Sequence, residues 1–153
     1  MTQRVRVLAV DDDEAIRSLV ASVLREDGYD VATAPDGVAA LSVLATDWQP
    51  ELILLDVTMP RMDGPAFAVA YAGKPGPHAP IILLTGSSGI DAAVWTERTG
   101  ASGFLRKPFD LLALEAVVRR HAPVRAARNA PDAGKARNNH HLWSETVQVH
   151  DSG

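Results

Sequence analysis

The sequence predicts an α/β fold, a doubly wound parallel sheet of five strands flanked by five helices. Two observations carry that expectation. Short apolar runs alternate strictly with helix-period segments up to about residue 122. Two of those runs, Leu52–Leu55 and Ile81–Leu84, are apolar at every position. Strands of that kind belong inside a parallel sheet covered by helices on both faces.

Each element follows from local pattern. Val5 to Val10 is long enough for one strand. Ile16, Leu19, Val20, Val23 and Leu24 then recur as on one buried helix face, with Gly28 placed as a C′ glycine. Asp13 and Glu14 suit the N-terminus of that helix. Tyr29 to Thr33 alternates like a strand, and Asp36 can cap a helix carrying Val38, Leu41 and Leu44. After Leu52–Leu55 comes a helix from Pro65 to about Ala72, with proline in the first turn. Asp63-Gly64 before it looks like turn chemistry, the glycine meeting a positive φ. A Gly-Lys-Pro-Gly-Pro loop leads to Ile81–Leu84, followed by a helix over Asp91–Thr99 and a short strand at Gly103–Leu105. Asp110 can cap the last helix, whose buried side carries Leu111, Leu114, Val117 and Val118. From Pro123 the periodicity stops, so residues 123–153 read as a flexible tail without an effector domain.

Composition removes several functions. The 153 residues suit one domain with a tail, and no internal repeat is visible. Without cysteine there is no disulfide, thiolate zinc site or thiol nucleophile. No apolar run nears the roughly 20 residues of a membrane helix, and no secretory h-region follows Met1. A cytoplasmic protein without a membrane partner is expected. The net charge of -4 and the lack of a basic stripe argue against direct nucleic-acid binding.

In open α/β sheets ligands bind beyond the carboxyl ends of the strands. Asp11, Asp12 and Asp13 follow the first run, Asp56 the third, Thr85 the fourth and Lys107 the fifth. Packed carboxylates stay ionised only with positive charge among them, and a hard cation such as Mg²⁺ answers that need. Asp56 follows a buried strand and can act as a nucleophile on phosphorus. Thr85 can donate to a phosphoryl oxygen, and Lys107 can pair with another.

Four segments carry a resemblance. Val-Leu-Ala-Val-Asp-Asp-Asp-Glu-Ala-Ile-Arg at 7–17, Leu-Ile-Leu-Leu-Asp-Val-Thr-Met-Pro-Arg-Met-Asp-Gly at 52–64, Ile-Ile-Leu-Leu-Thr-Gly at 81–86 and Phe-Leu-Arg-Lys-Pro-Phe at 104–109 stand in order. Together they resemble the receiver domain of two-component response regulators, stand-alone chemotaxis-type members included. The resemblance implies a flavodoxin-like sheet of order 2-1-3-4-5 over residues 1–122. It implies that Asp56 accepts a phosphoryl group from a sensor histidine kinase or histidine phosphotransfer protein. Asp11, Asp12, Asp56 and the Thr58 backbone carbonyl would bind Mg²⁺. Thr85 and Lys107 would hold phosphoryl oxygens, and Phe104 would be the ring that responds to Thr85. Lys107-Pro108 would be a cis peptide. The chain would then be no turnover enzyme, assisting only its own phosphotransfer and dephosphorylation, and would signal to an unknown downstream protein.

Blander readings exist for some of these residues. Phe104 suits plain core as well as a switch, and Trp48 suits a cover over a helix end. Trp95 reads as buried by default, and His140, His141 and His150 as solvated. Gly86 and Ser87 beside Thr85 depart from common family patterns or vary within them, as Thr58 does. Two rival functions make different demands on these residues. An aspartyl-nucleophile phosphatase would want a second acid where Thr58 stands, and a phosphate-blind binding module would not need Asp56, Thr85 and Lys107 together.

Overall fold

A computed structural model describes residues 3–86 and 89–124, with the side chains of 89–91 left out. The strands are β1 (Arg6–Val10), β2 (Asp30–Ala34), β3 (Leu52–Asp56), β4 (Ile81–Thr85) and β5 (Gly103–Arg106). The helices are α1 (Glu14–Glu26), α2 (Gly37–Leu44), α3 (Gly64–Ala72), α4 (Gly89–Thr99) and α5 (Leu111–His121). All pairings are parallel, in the order β2-β1-β3-β4-β5. The chain reverses its direction of growth between β1 and β3, which puts the switch point between those two strands.

The pleat splits the core in two. On one side Val7, Leu52, Leu54 and Leu84 meet Val20 and Leu24 of α1 and Leu114 and Val118 of α5. On the other Leu8, Ile53, Leu55 and Leu83 meet Leu44 of α2 and Phe67 and Tyr71 of α3. All five residues of β3 and of β4 are buried, as runs apolar on both faces require. Truncating a leucine such as Leu54 at the centre of β3 would cost about 2–5 kcal/mol.

Helix ends follow the capping residues. Asp13, Asp36, Asp63 and Asp110 each accept hydrogen bonds from first-turn amides. Helix α1 closes with Gly28 at φ 99°, its N–H donating to the Arg25 carbonyl while the Tyr29 N–H reaches back to Leu24. The Tyr29 hydroxyl, buried, donates to the Ala122 carbonyl at 2.7 Å. That bond joins the start of β2 to the end of α5.

Some expectations need correction. The second strand runs one residue later than the alternation suggested, and α4 begins at Gly89, not Asp91. Gly64 does not need a positive φ; it is the first residue of α3. A Cβ there would lie 2.5 Å from the Asp56 carbonyl oxygen, so close backbone approach is what demands glycine. Trp48 does more than cover a helix end: its indole N–H donates to Asp30 Oδ2 at 3.0 Å. Trp95 is half-buried, with the Arg98 guanidinium 5.3 Å from its ring centroid. The expected tail beyond Val124, with His140, His141 and His150, lies outside the described residues, as does Ser87.

Candidate functional site

Asp11 directly follows β1, and its backbone is held on two sides. Its N–H donates to Ala34 at the end of β2, at 3.1 Å, and its carbonyl accepts from Arg17 Nη1 at 2.8 Å. Asp11 Oδ1 accepts from the Asp13 N–H at 2.9 Å, while Asp13 is committed to capping α1. The bland reading of Asp13 therefore stands, and Asp11 and Asp12 remain available for other chemistry.

Asp56 is the last residue of β3, the neighbour of β1. The adjacency of β1 and β3 brings Asp11, Asp12 and Asp56 together, with one oxygen of each within 4.8 Å of the others. Asp11 and Asp56 are buried, and Asp12 is exposed at the rim. From the end of β5, Lys107 reaches in: its Nζ lies 2.8 Å from Asp11 Oδ2 and 3.4 Å from Asp56 Oδ2. Its N–H donates to the Thr85 carbonyl at 2.7 Å, and its bond to Pro108 is cis. Thr85 ends β4 and is buried. Thr58 is exposed in the loop after Asp56.

The electrostatics are strained. Burial pushes Asp56 up from 3.8 to about 7, and the Asp11 charge and a hydrogen bond with Asp12 add to the rise. Lys107 opposes it. Burial alone would lower Lys107, but its contacts with Asp11 and Asp56 outweigh that and hold it above its usual value. One ammonium thus serves two carboxyl groups, with the third, Asp12, at the rim. Asp11 Oδ2 is buried and accepts no hydrogen bond among the described residues, leaving Lys107 as its compensation. An oxygen-only donor set with an undersupplied buried carboxylate fits a hard divalent cation.

Phe104 lies on β5, registered beside Leu83 and on the same face of the sheet as Thr85. It is 7% exposed and packs in the core formed with α2, α3 and α4. The Arg106 guanidinium lies 5.8 Å from its ring centroid. Its inward position suits both readings left open by the sequence.

Two further contacts have little or no local signature in the sequence. Arg17, in the first turn of α1, reaches back six residues to the Asp11 carbonyl, and Arg61 pairs with Asp36 across 25 residues. The first could have been suspected from its spacing after Asp13. The second depends on Arg61 adopting a positive φ of 64°, which a side chain of this kind rarely signals.

Comparison with known proteins agrees with this arrangement. Residues 7–119 match the family described as "Response regulator receiver domain". The chain is 40% identical over 129 residues to the response regulator MprA of Mycobacterium tuberculosis, covering 82% of this chain and 55% of that one. It is 44% identical over 117 residues to the response regulator PleD of Caulobacter vibrioides, covering 74% of this chain and 25% of that one. The chain therefore spans about half or less of the length of these relatives. Among solved structures, the chemotaxis response regulator CheY4 of Vibrio cholerae matches with a TM-score of 0.71 at 34% identity, over 77% of this chain and 98% of that one. The receiver domain of NtrX from Brucella abortus matches with a TM-score of 0.68 at 35% identity, over 75% and 96%. With its sheet order, its acidic cluster and these likenesses in agreement, the chain belongs to the response regulator receiver domain family of two-component systems.

Proposed function

We propose that Asp56 is the phosphoacceptor of a two-component phosphorelay. The observation that carries this is the convergence of Asp56 with Asp11, Asp12 and Lys107 at the ends of three different strands. An oxygen of the ionised Asp56 carboxylate attacks the phosphorus of a phosphohistidine on a sensor kinase or phosphotransfer protein. The P–N bond breaks, and the imidazole leaves with its electron pair and takes up a proton from solvent. Water later attacks the acyl phosphate, releasing inorganic phosphate and restoring the carboxylate. Lys107 balances charge on the transferred group, and Thr85 donates to one of its oxygens. Asp11, Asp12, Asp56 and the Thr58 carbonyl would hold Mg²⁺, which when bound supplies positive charge to the phosphoryl oxygens.

In this reading the chain performs its own phosphotransfer and is no turnover enzyme. It signals by binding a downstream protein when phosphorylated, in the cytoplasm. No helix among the described residues is long and apolar enough to cross a membrane. Incubation with Mg²⁺ and acetyl phosphate, followed by intact-mass measurement, should add one phosphoryl group to the wild type and none to Asp56→Ala. Equal labelling of both would sink the assignment. Sustained turnover of phosphate monoesters would favour a phosphatase instead.

A further inference from the structure

Arg61 and Asp36 lie outside the acidic cluster, yet they fasten the loop that follows Asp56. The Arg61 Nε donates to Asp36 Oδ2 at 2.8 Å, and its Nη2 lies 2.6 Å from the same oxygen. The other Asp36 oxygen accepts from the Ala39 N–H and caps α2. Asp36 is thus fully engaged, 1% exposed, and held below its usual range first by that Ala39 bond, helped by Arg61. Arg61 is 68% exposed at its side chain, so the pair is screened and adds little to stability.

Its placement suggests another use. The next residue, Met62, accepts at its carbonyl from the Gly37 N–H at 2.9 Å. Met62 also presses on Gly37 so closely that a Cβ there would lie 2.5 Å from its Cγ. Two residues before Asp36, Ala34 holds the Asp11 N–H. One short segment, 34–37, therefore touches the backbone of both acidic arms. It meets Asp11 on one side and the 57–63 loop, which carries Thr58, on the other. Arg61 holds a positive φ, a conformation that a non-glycine residue keeps only when its surroundings impose it.

We infer that Arg61 is a positioning residue: its pairing with Asp36 sets the 57–63 loop relative to Asp11, and so the affinity of the acidic site for Mg²⁺. This rests on the phosphoacceptor reading above. Arg61 touches neither the phosphoryl group nor the ion.

Arg61→Gly suits the test, because glycine adopts this φ freely and the fold is spared. Asp36→Asn is the second variant, since its amide oxygen can still cap α2 while its NH₂ repels the guanidinium. Calorimetric titration of the full chain with Mg²⁺ should show each variant weakened about 3- to 10-fold. The double variant should be no weaker than either single one, as expected for two halves of one contact. Arg61→Lys should recover part of the loss. Acetyl phosphate labelling should slow by the same factor at low Mg²⁺ and return to the wild-type rate at saturation, which partial unfolding would not produce. Wild-type affinity in Arg61→Gly, or additive losses in the double variant, would overturn the inference alone. A wild type that binds no Mg²⁺ would overturn the phosphoacceptor reading with it.

Discussion

Lys107 stands nearer to Asp11 than to the proposed phosphoacceptor, its ammonium 2.8 Å from the Asp11 carboxylate and 3.4 Å from that of Asp56. Before any phosphoryl group arrives, its first task is to neutralise a buried acid. Replacing it with Met should leave Asp11 Oδ2 without a cation. The metal-free chain should lose about 1–3 kcal/mol of stability, the usual cost of orphaning one member of a largely buried pair. Urea unfolding in chelator would measure it. A loss below a few tenths of a kcal/mol would show that the acids simply protonate.

Asp56 makes metal-free stability depend on pH. Its pKa is raised on folding from 3.8 to about 7. A raised folded value means the native state holds the proton more tightly than the unfolded chain does. The contribution is therefore complete below about pH 4 and is lost as pH climbs toward 7. The full rise would be worth about 4 kcal/mol, and solvent at the rim of the site screens the loss to about 1–3 kcal/mol. Melting curves from pH 4 to 8 should show this slope in the wild type and a shallower one in Asp56→Asn. Millimolar Mg²⁺ should offset the loss near neutrality.

Gly64 has no room to grow. Alanine there would place its Cβ against the Asp56 carbonyl oxygen, and the obstruction is backbone. Gly64→Ala should cost at least about 1–3 kcal/mol and disturb the proposed phosphoacceptor, Asp56. Denaturant midpoints and phosphoryl labelling should fall together. Unchanged labelling in a destabilised variant would mean that β3 holds Asp56 in place while α3 yields.

The Tyr29 hydroxyl donates to Ala122 from a buried position. Tyr29→Phe would leave that carbonyl without its donor, costing about 1–2 kcal/mol. Hydrogen exchange should rise first in the last turn of α5. A global rise instead would show that this turn does not open by itself.

Phosphorylation should change the edge of the sheet. A phosphoryl group on Asp56 brings about one to two negative charges and new acceptor oxygens. Thr85 should turn to them and Phe104 should follow into the space released. Hydrogen exchange with and without beryllofluoride should differ most over residues 85–107, and Thr85→Ala should suppress the response. Phe104 carries no hydroxyl, so a partner would sense its packing and gain no hydrogen bond from it.

The five strands and helices were legible because each has a local or periodic cause, whereas the sheet order, and with it the adjacency of β1 and β3 that gathers the acids, was legible only through the resemblance to receiver domains. Buried strands show as unbroken apolar runs such as Leu52–Leu55, and caps show as Asp13, Asp36 and Asp110. The site was legible because strand ends gather at one edge, so Asp11, Asp56, Thr85 and Lys107 could be aligned without coordinates. Gly64 was misread because a glycine needed for close approach and one needed for positive φ look identical in sequence. Arg61 was missed because its partner is 25 residues away and the contact hangs on one backbone angle. The start of α4 at Gly89 was illegible because Gly89 and Ile90 carry no cap signature.

The position of each strand in the sheet divides labour between stiffness and compliance. Strand β3 is bonded on both flanks, to β1 and to β4, whereas β5 is bonded to β4 alone. Displacing β3 would break two ladders; displacing β5 strains one, and that one is four residues long. Asp56 is thus anchored on a strand held from both sides, while Phe104 rides on an edge strand. With Asp56 as the proposed phosphoacceptor and Phe104 as the proposed switch, a chemical event at the centre would keep its geometry from cycle to cycle while the periphery rearranges, so fidelity of the reaction and amplitude of the signal would not compete for the same atoms.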